Sequence, residues 1–275
     1  MSEECNHNCA ECAKKADGSC GKPESFRVPA NAKSKISKVI AVMSGKGGVG
    51  KSMVTELLAV AAARKGRKVA ILDADITGPS IPMAFGVAEH AVSDGEDGIL
   101  PCRSQTGIGM MSLNLLVENP ADPVVWRGPV VAGAVKQFWS DVAWGDVDVM
   151  FVDMPPGTGD VPLTVFQSLP ITGVVVVTSP QDLVRLIVEK AMRMARMMNV
   201  PVLGLVENMS AFKCPDCGKL HRVFGESKAQ DIADAYGVET VVSLPIDPAL
   251  ASAVDNGLVE QADASALDPL VDALA

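Results

Sequence analysis

Residues 39–52 read Val-Ile-Ala-Val-Met-Ser-Gly-Lys-Gly-Gly-Val-Gly-Lys-Ser. An apolar run from Val39 to Met43 stops at Gly45. G-x-x-x-x-G-K-S follows, with Gly45, Gly50, Lys51 and Ser52 at the fixed positions. Residues 55–64 are then rich in good helix formers. Strand, glycine loop and helix in that order give the context of a phosphate-binding loop. The residue types have physical reasons. Gly45, Gly47, Gly48 and Gly50, with Val49 between them, let the backbone wrap an anion and turn its N–H groups inward. The helix begins at that point, so its positive end faces the same anion. Lys51 reaches the β- and γ-phosphates, and the Ser52 hydroxyl is placed to ligate Mg²⁺. The alternative is a glycine-rich turn before an ordinary helix.

One residue narrows this further. Lys46, directly after Gly45, adds a second lysine inside the loop. The heptapeptide K-G-G-V-G-K-S resembles the loop of the MinD/ParA/nitrogenase-iron-protein group of ATPases. In that group the extra lysine crosses a dimer interface to the phosphates of the partner's nucleotide. That resemblance implies a catalytic role for Lys46 and a homodimer; a solvated loop lysine is the alternative.

The rest of the chain agrees with an α/β protein. Of 275 residues, 48% are hydrophobic but only 4% aromatic, so the core must be built from Val, Ile, Leu, Ala and Met. That suits a mainly parallel sheet with helices on both faces. A net charge of −9 argues against nucleic acid as a partner. No apolar run approaches the roughly 18 residues of a membrane span, and the N-terminus lacks an apolar signal core. A cytoplasmic location without membrane attachment is therefore expected. There the seven cysteines read as metal ligands or free thiols rather than disulfides.

Residues 1–37 form a separate expectation: a flexible, cysteine-rich arm and linker ahead of an ATPase domain at 38–275. Cys5, Cys9, Cys12 and Cys20 are spaced C-x₃-C-x₂-C-x₇-C. Four thiolates on a flexible segment can wrap a metal without a preformed core. An iron–sulfur cluster is the first candidate, zinc the second, and a redox-sensitive tail the third.

Two further strands end in acid. Lys68–Asp73 leads to Asp73-Ala-Asp75, and Val147–Asp153 leads to Met-Pro-Pro-Gly-Thr-Gly-Asp. Carboxylates at strand tips beside a phosphate loop serve metal and water. Asp153 is read as the Mg²⁺ carboxylate, Asp75 as the residue orienting the attacking water or helping to place the metal, and Asp73 as a support to the metal through water; a pair of helix-capping carboxylates is the alternative for Asp73 and Asp75. Residues 86–128 suggest a small hairpin or lobe edge, with Cys102 as a small buried hydrophobe. Met192, Met194, Met197 and Met198 lie at helical spacing and read as core packing rather than a metal site. Asn208, ending the strand that starts at Val202, is placed to read adenine, with a turn-forming role as the alternative.

Cys214-Pro-Asp-Cys217 is a tight knuckle. Two thiolates rarely hold a metal alone. Either His221 completes a site within the chain, or two copies of the knuckle meet across a two-fold axis; a zinc knuckle and an unmetallated loop are the alternatives.

The P-loop, D-A-D-I-T-G-P-S, W-R-G-P, D-M-P-P-G-T-G-D, V-E-N-M-S and C-P-D-C, in this order over about residues 38–256, are together similar to the Mrp/ApbC family of iron–sulfur cluster carrier ATPases. The resemblance implies a homodimer with ATP at its interface. It implies a labile [4Fe–4S] cluster bridging Cys214 and Cys217 of both subunits, and its transfer to apo-proteins. Two features depart from the pattern. Met53 replaces a second hydroxyl after G-K-S, which implies one lost phosphate contact. The arm's first cysteine gap is shorter than in the cytosolic scaffold branch it resembles. Two rival functions share parts of this signature: a nickel- or zinc-inserting metal chaperone ATPase, and a MinD/ParA-like positioning ATPase. Against the second, residues 258–275 contain no Lys or Arg to anchor an anionic membrane.

Overall fold

In the computed structural model, the described residues are 26–275 save Thr77, Asp94, Glu96, Glu118, 120–125, Arg127, 182–183 and Ala275. Cys5, Cys9, Cys12 and Cys20 thus lie outside them. The elements run β1 (Ser34–Ser44), α1 (Lys51–Arg64), β2 (Val69–Asp73), α2 (Ile81–Ala84), β3 (Cys102–Arg103), β4 (Gly109–Met111), α3 (Gly128–Ser140), β5 (Gly145–Asp153) and α4 (Asp160–Ser168). Then come β6 (Gly173–Thr178), α5 (Val184–Met197), β7 (Val202–Glu207), β8 (Phe212–Lys213), β9 (Leu220–His221), α6 (Ala229–Tyr236), β10 (Val241–Ser243), α7 (Pro248–Asp255) and α8 (Asp268–Ala273).

Eight strands form one sheet in the order β10-β7-β6-β1-β5-β2-β4-β3. Every pairing is parallel except β3 with β4. Side chains alternate across a strand, so a sheet covered on both faces needs apolar residues at both parities. In β1, Val39, Ala41 and Met43 enter one core, beside Val174 and Val176 of β6. Ile40 and Val42 enter the other, with Leu57 and Leu58 of α1 and Leu270 of α8.

Two outcomes differ in extent from the sequence reading. The chain joins the sheet at Ser34, four residues before the 37/38 boundary. Its first turn of strand alternates exposure, Ile36 half-buried between exposed Lys35 and Ser37, so it resembles a polar linker. Ahead of it, Val28 is fastened to the domain: its N–H donates to Ser168 O (2.9 Å) and its carbonyl accepts from Trp139 Nε1 (2.9 Å). The stretch from 86 to 128 does hold a hairpin, β3–β4, which extends the sheet through β4 and β2. Cys102 is buried there, and burial, with Glu89 nearby, pushes its thiol up. Among the methionines of α5, Met192 is buried while Met197 is 81% exposed, so that residue is not core.

Candidate functional site

The carboxyl ends of β1, β2 and β5 meet at residues 44–53. Gly48 and Gly50 both sit at φ +79°, a conformation that side chains other than glycine disfavour. A Cβ on Gly50 would lie 2.3 Å from Asn208 Nδ2. The loop borders a cavity of about 230 Å³ that includes Lys46, Gly48, Lys51, Ser52 and Asp75. The turn after β5 leans over it: Gly157 N–H donates to Ser44 O (2.9 Å), and Pro156 reaches the Gly47 side of the loop.

Asp153 is the hub. It is 1% exposed, and its Oδ2 takes Lys51 Nζ at 2.6 Å and the Ser52 hydroxyl at 2.7 Å. Its Oδ1 accepts from Thr55 Oγ1 at 2.7 Å. Asp75 Oδ2 lies 3.6 Å from the same lysine. The cradle fits a nucleotide phosphate, with glycines in left-handed conformation and a buried ammonium at its floor. A hydroxyl and a carboxylate oxygen side by side are the hard donors that suit Mg²⁺.

Asp73 differs from the metal support expected of it. It is buried behind the site, where Oδ2 accepts from Ser112 Oγ (2.8 Å) and Oδ1 from Asp75 N–H (3.1 Å). Burial, and then the charge of Asp153, push its carboxyl up to about 8. Asn208 also has a different partner. It is 2% exposed and donates from Nδ2 to Val49 O (2.9 Å), so the amide expected to read adenine braces the loop. Lys46 Nζ donates to Gln181 Oε1, on the turn after β6 of its own chain.

The sequence reading missed Glu56. It is 1% exposed on α1, and its Oε2 has no hydrogen-bond partner. Burial first, then Asp153 and Asp73, raise its carboxyl well above the ordinary range. The signal was available: Glu56 stands in T-E-L-L-A-V-A-A-A, a helix with no polar face, which must be buried all round.

These shifts have a consequence for stability. A raised carboxyl keeps in the folded state a proton that the unfolded chain releases above about pH 4. At these carboxyls the fold therefore binds more protons than the unfolded chain, for Asp73 between about pH 4 and pH 8, and their contribution to stability falls as pH rises through that window. Asp73→Asn keeps the shape and removes the charge. It should raise the unfolding free energy of the nucleotide-free protein, read from urea titration, by about 1 kcal/mol or more at pH 8 and change it little at pH 4. Equal shifts at both pH values would refute the assignment.

The cysteine hairpin stands apart from the sheet. β8 and β9 pair antiparallel, and Cys214 N–H donates to Lys219 O at 2.9 Å. Gly218, at φ +71°, closes the turn by donating to Cys214 O (2.9 Å). Cys214 is half-buried and Cys217 exposed. Hydrogen bonds from the Cys217 and Asp216 amides hold the Cys214 thiol below its usual value. His221 pairs across the hairpin with Phe212 rather than joining the thiols. Among the described residues, no three His, Cys, Asp or Glu side chains come together to hold a metal.

A phosphate loop at the tip of a central parallel strand, with carboxylates on the tips of its neighbours, defines a P-loop NTPase. Solved structures agree. A nucleotide-binding protein in complex with ADP from Archaeoglobus fulgidus, with cobalt found, is 47% identical; the match covers 82% of this chain and 88% of that one, with a TM-score of 0.73. MinD complexed with Mg-ADP from Pyrococcus horikoshii, at 22% identity and TM-score 0.59, shares the fold; the match covers 86% of this chain and 94% of that one. The chain belongs to the NUBPL iron-transfer P-loop NTPase family, whose ParA model matches residues 35–275. It is 44% identical to an iron–sulfur cluster carrier protein of Clostridium perfringens, across 92% of this chain and 94% of that protein. A carrier protein of the same description from Methanocaldococcus jannaschii is 43% identical, across 93% and 89%. No helix among the described residues is long and apolar enough to cross a membrane.

Proposed function

We propose that the protein is an ATP-driven iron–sulfur cluster carrier that works as a homodimer. Lys51 binds the phosphates, and Ser52 and Asp153 would hold Mg²⁺. Asp75 orients the attacking water, and Lys46 leaves Gln181 to reach the phosphates bound by the other copy. Asn208 holds the loop in shape for the base and phosphates. Cys214 and Cys217 of two chains share one [4Fe–4S] cluster, which passes to apo-proteins. Cys5, Cys9, Cys12 and Cys20 hold a second cluster. Nucleic acid and membrane have no part in the reaction, and it takes place in the cytoplasm.

The observation that carries this reading is the hairpin. It presents two thiols, one half-buried and one exposed, with no third ligand from its own chain among the described residues. That is half of a four-ligand set, and a two-fold axis supplies the other half. Closure of the dimer over ATP then changes how the two hairpins face each other, so the nucleotide governs release.

The test is anaerobic reconstitution with iron and sulfide, followed by metal analysis and sedimentation with and without Mg-ATP. Iron with equimolar acid-labile sulfide, in a dimer, is the expected result. A monomer that takes up no iron would sink the proposal. Nickel, zinc or cobalt bound without sulfide would favour the metal-chaperone reading instead; the solved relative with cobalt makes that arm worth measuring.

A further inference from the structure

Glu207 ends β7 and is 2% exposed, yet its Oε2 has no hydrogen-bond partner. A buried carboxyl oxygen left unpaired is costly and calls for a reason. It borders a cavity of about 10 Å³, room for one water. The walls of that cavity come from two places. One is the turn after β6, Thr178 to Gln181, whose Gln181 carries Lys46. The other is the first turn of α6, through Ala229 and Ile232. Lys228, the residue preceding that turn, lines the cavity as well.

The placement joins the two halves of the molecule. The chain leaves the sheet for the cysteine hairpin just after Glu207, pinned where Ser210 N–H donates to Leu244 O (2.9 Å). It comes back against β7 through α6 and re-enters the sheet at β10. Asn208, the next residue, is tied at its N–H to Thr178 O (2.8 Å) and at its amide to Val49 O of the phosphate loop (2.9 Å). Glu207 thus sits between the contact that holds Lys46 and both legs of the hairpin.

We propose that Glu207 is a positioning residue that couples the Lys46–Gln181 contact to the cysteine hairpin. When Lys46 leaves, the Gln181 side chain is released from its ammonium partner. Its Nε2 then donates to Glu207 Oε2, which fills the unmet acceptor and moves the wall against which α6 begins. The hairpin's return leg follows. This rests on the carrier reading above, because it needs a nucleotide-sensitive Lys46 and a cargo at the thiols.

The experiment loads the full-length protein anaerobically with iron and sulfide and follows iron release to a ferrous chelator, with and without Mg-ATP. Wild type should show a change of about five-fold or more on ATP addition. Glu207→Met, similar in length but without an acceptor, should keep iron content and ATP turnover within about two-fold and bring the ATP effect close to one. Glu207→Gln, which retains an acceptor oxygen, should recover part of it. A purely structural role would not show that rescue. An undiminished ATP effect in Glu207→Met overturns the proposal. Loaded wild type whose release ignores ATP overturns the coupling and the nucleotide control of release but leaves cluster binding at the thiols standing, whereas wild type that takes up no iron ends both readings. Hydrogen exchange on wild type needs no variant: ATP should alter protection at residues 229–232, and unchanged protection there also overturns the coupling.

Discussion

Cys214→Ala should abolish cluster uptake at the hairpin. The clean background is the full chain with Cys5, Cys9, Cys12 and Cys20 changed to serine, so that iron reports the hairpin alone. Each dimer would then lose two of four thiolates at once. The remaining pair cannot close a four-coordinate set, and affinity should drop by more than about a hundredfold. The fold should be indifferent, because the hairpin stands outside the sheet and makes no part of either apolar core. Unchanged thermal melting with absent iron and sulfide is the expected pairing of results. Retained iron with normal sulfide would show that the hairpin is not the cargo site. Cys217→Ala should behave alike, although its thiol is the more exposed of the two.

Lys51→Ala should cost both activity and stability. Its ammonium is 6% exposed and lies 2.6 Å from Asp153 and 3.6 Å from Asp75. Charge-stabilising groups at a reacting phosphate are worth about 10²–10³ in turnover, so ATP hydrolysis should fall by at least that factor. Removing one partner of a buried pair leaves the other charge uncompensated, at a cost of about 3–5 kcal/mol. The double variant Lys51→Ala/Asp153→Asn separates these effects. It should regain most of the lost stability, because the orphaned charge has gone, and none of the hydrolysis. If the single variant melts like wild type, the buried pair is not the strut that the geometry describes.

Most of the fold could be read from the chain because its signals are local. An apolar run stopping at glycine, a lysine and hydroxyl opening a helix, and aspartates closing two strands all repeat the same physics: anions and metals are bound at the carboxyl ends of parallel strands. β6, with four consecutive valines, and the Cys-Pro-Asp-Cys turn were equally legible. The beginning of β1 was not, since half-exposed alternation looks the same as a polar tether until Gly145–Val147 pair with it.

The side-chain partners needed the tertiary structure. Asn208 had the right place for a base but spends its amide on Val49, 159 positions away. Asp73 read as a support to the metal through water, and its Oδ2 accepts from Ser112 Oγ. Glu56 and Glu207 carry unpaired oxygens only because helices and strands distant in sequence close over them. The sequence by itself determined the apolar strands, the phosphate loop, the aspartates at the strand tips and the paired thiols, since each is written in a few neighbouring residues. The tertiary structure alone decided which polar atoms are buried, what each one bonds and which are left unmet, because burial and pairing are set by contacts between segments that the chain brings together only on folding.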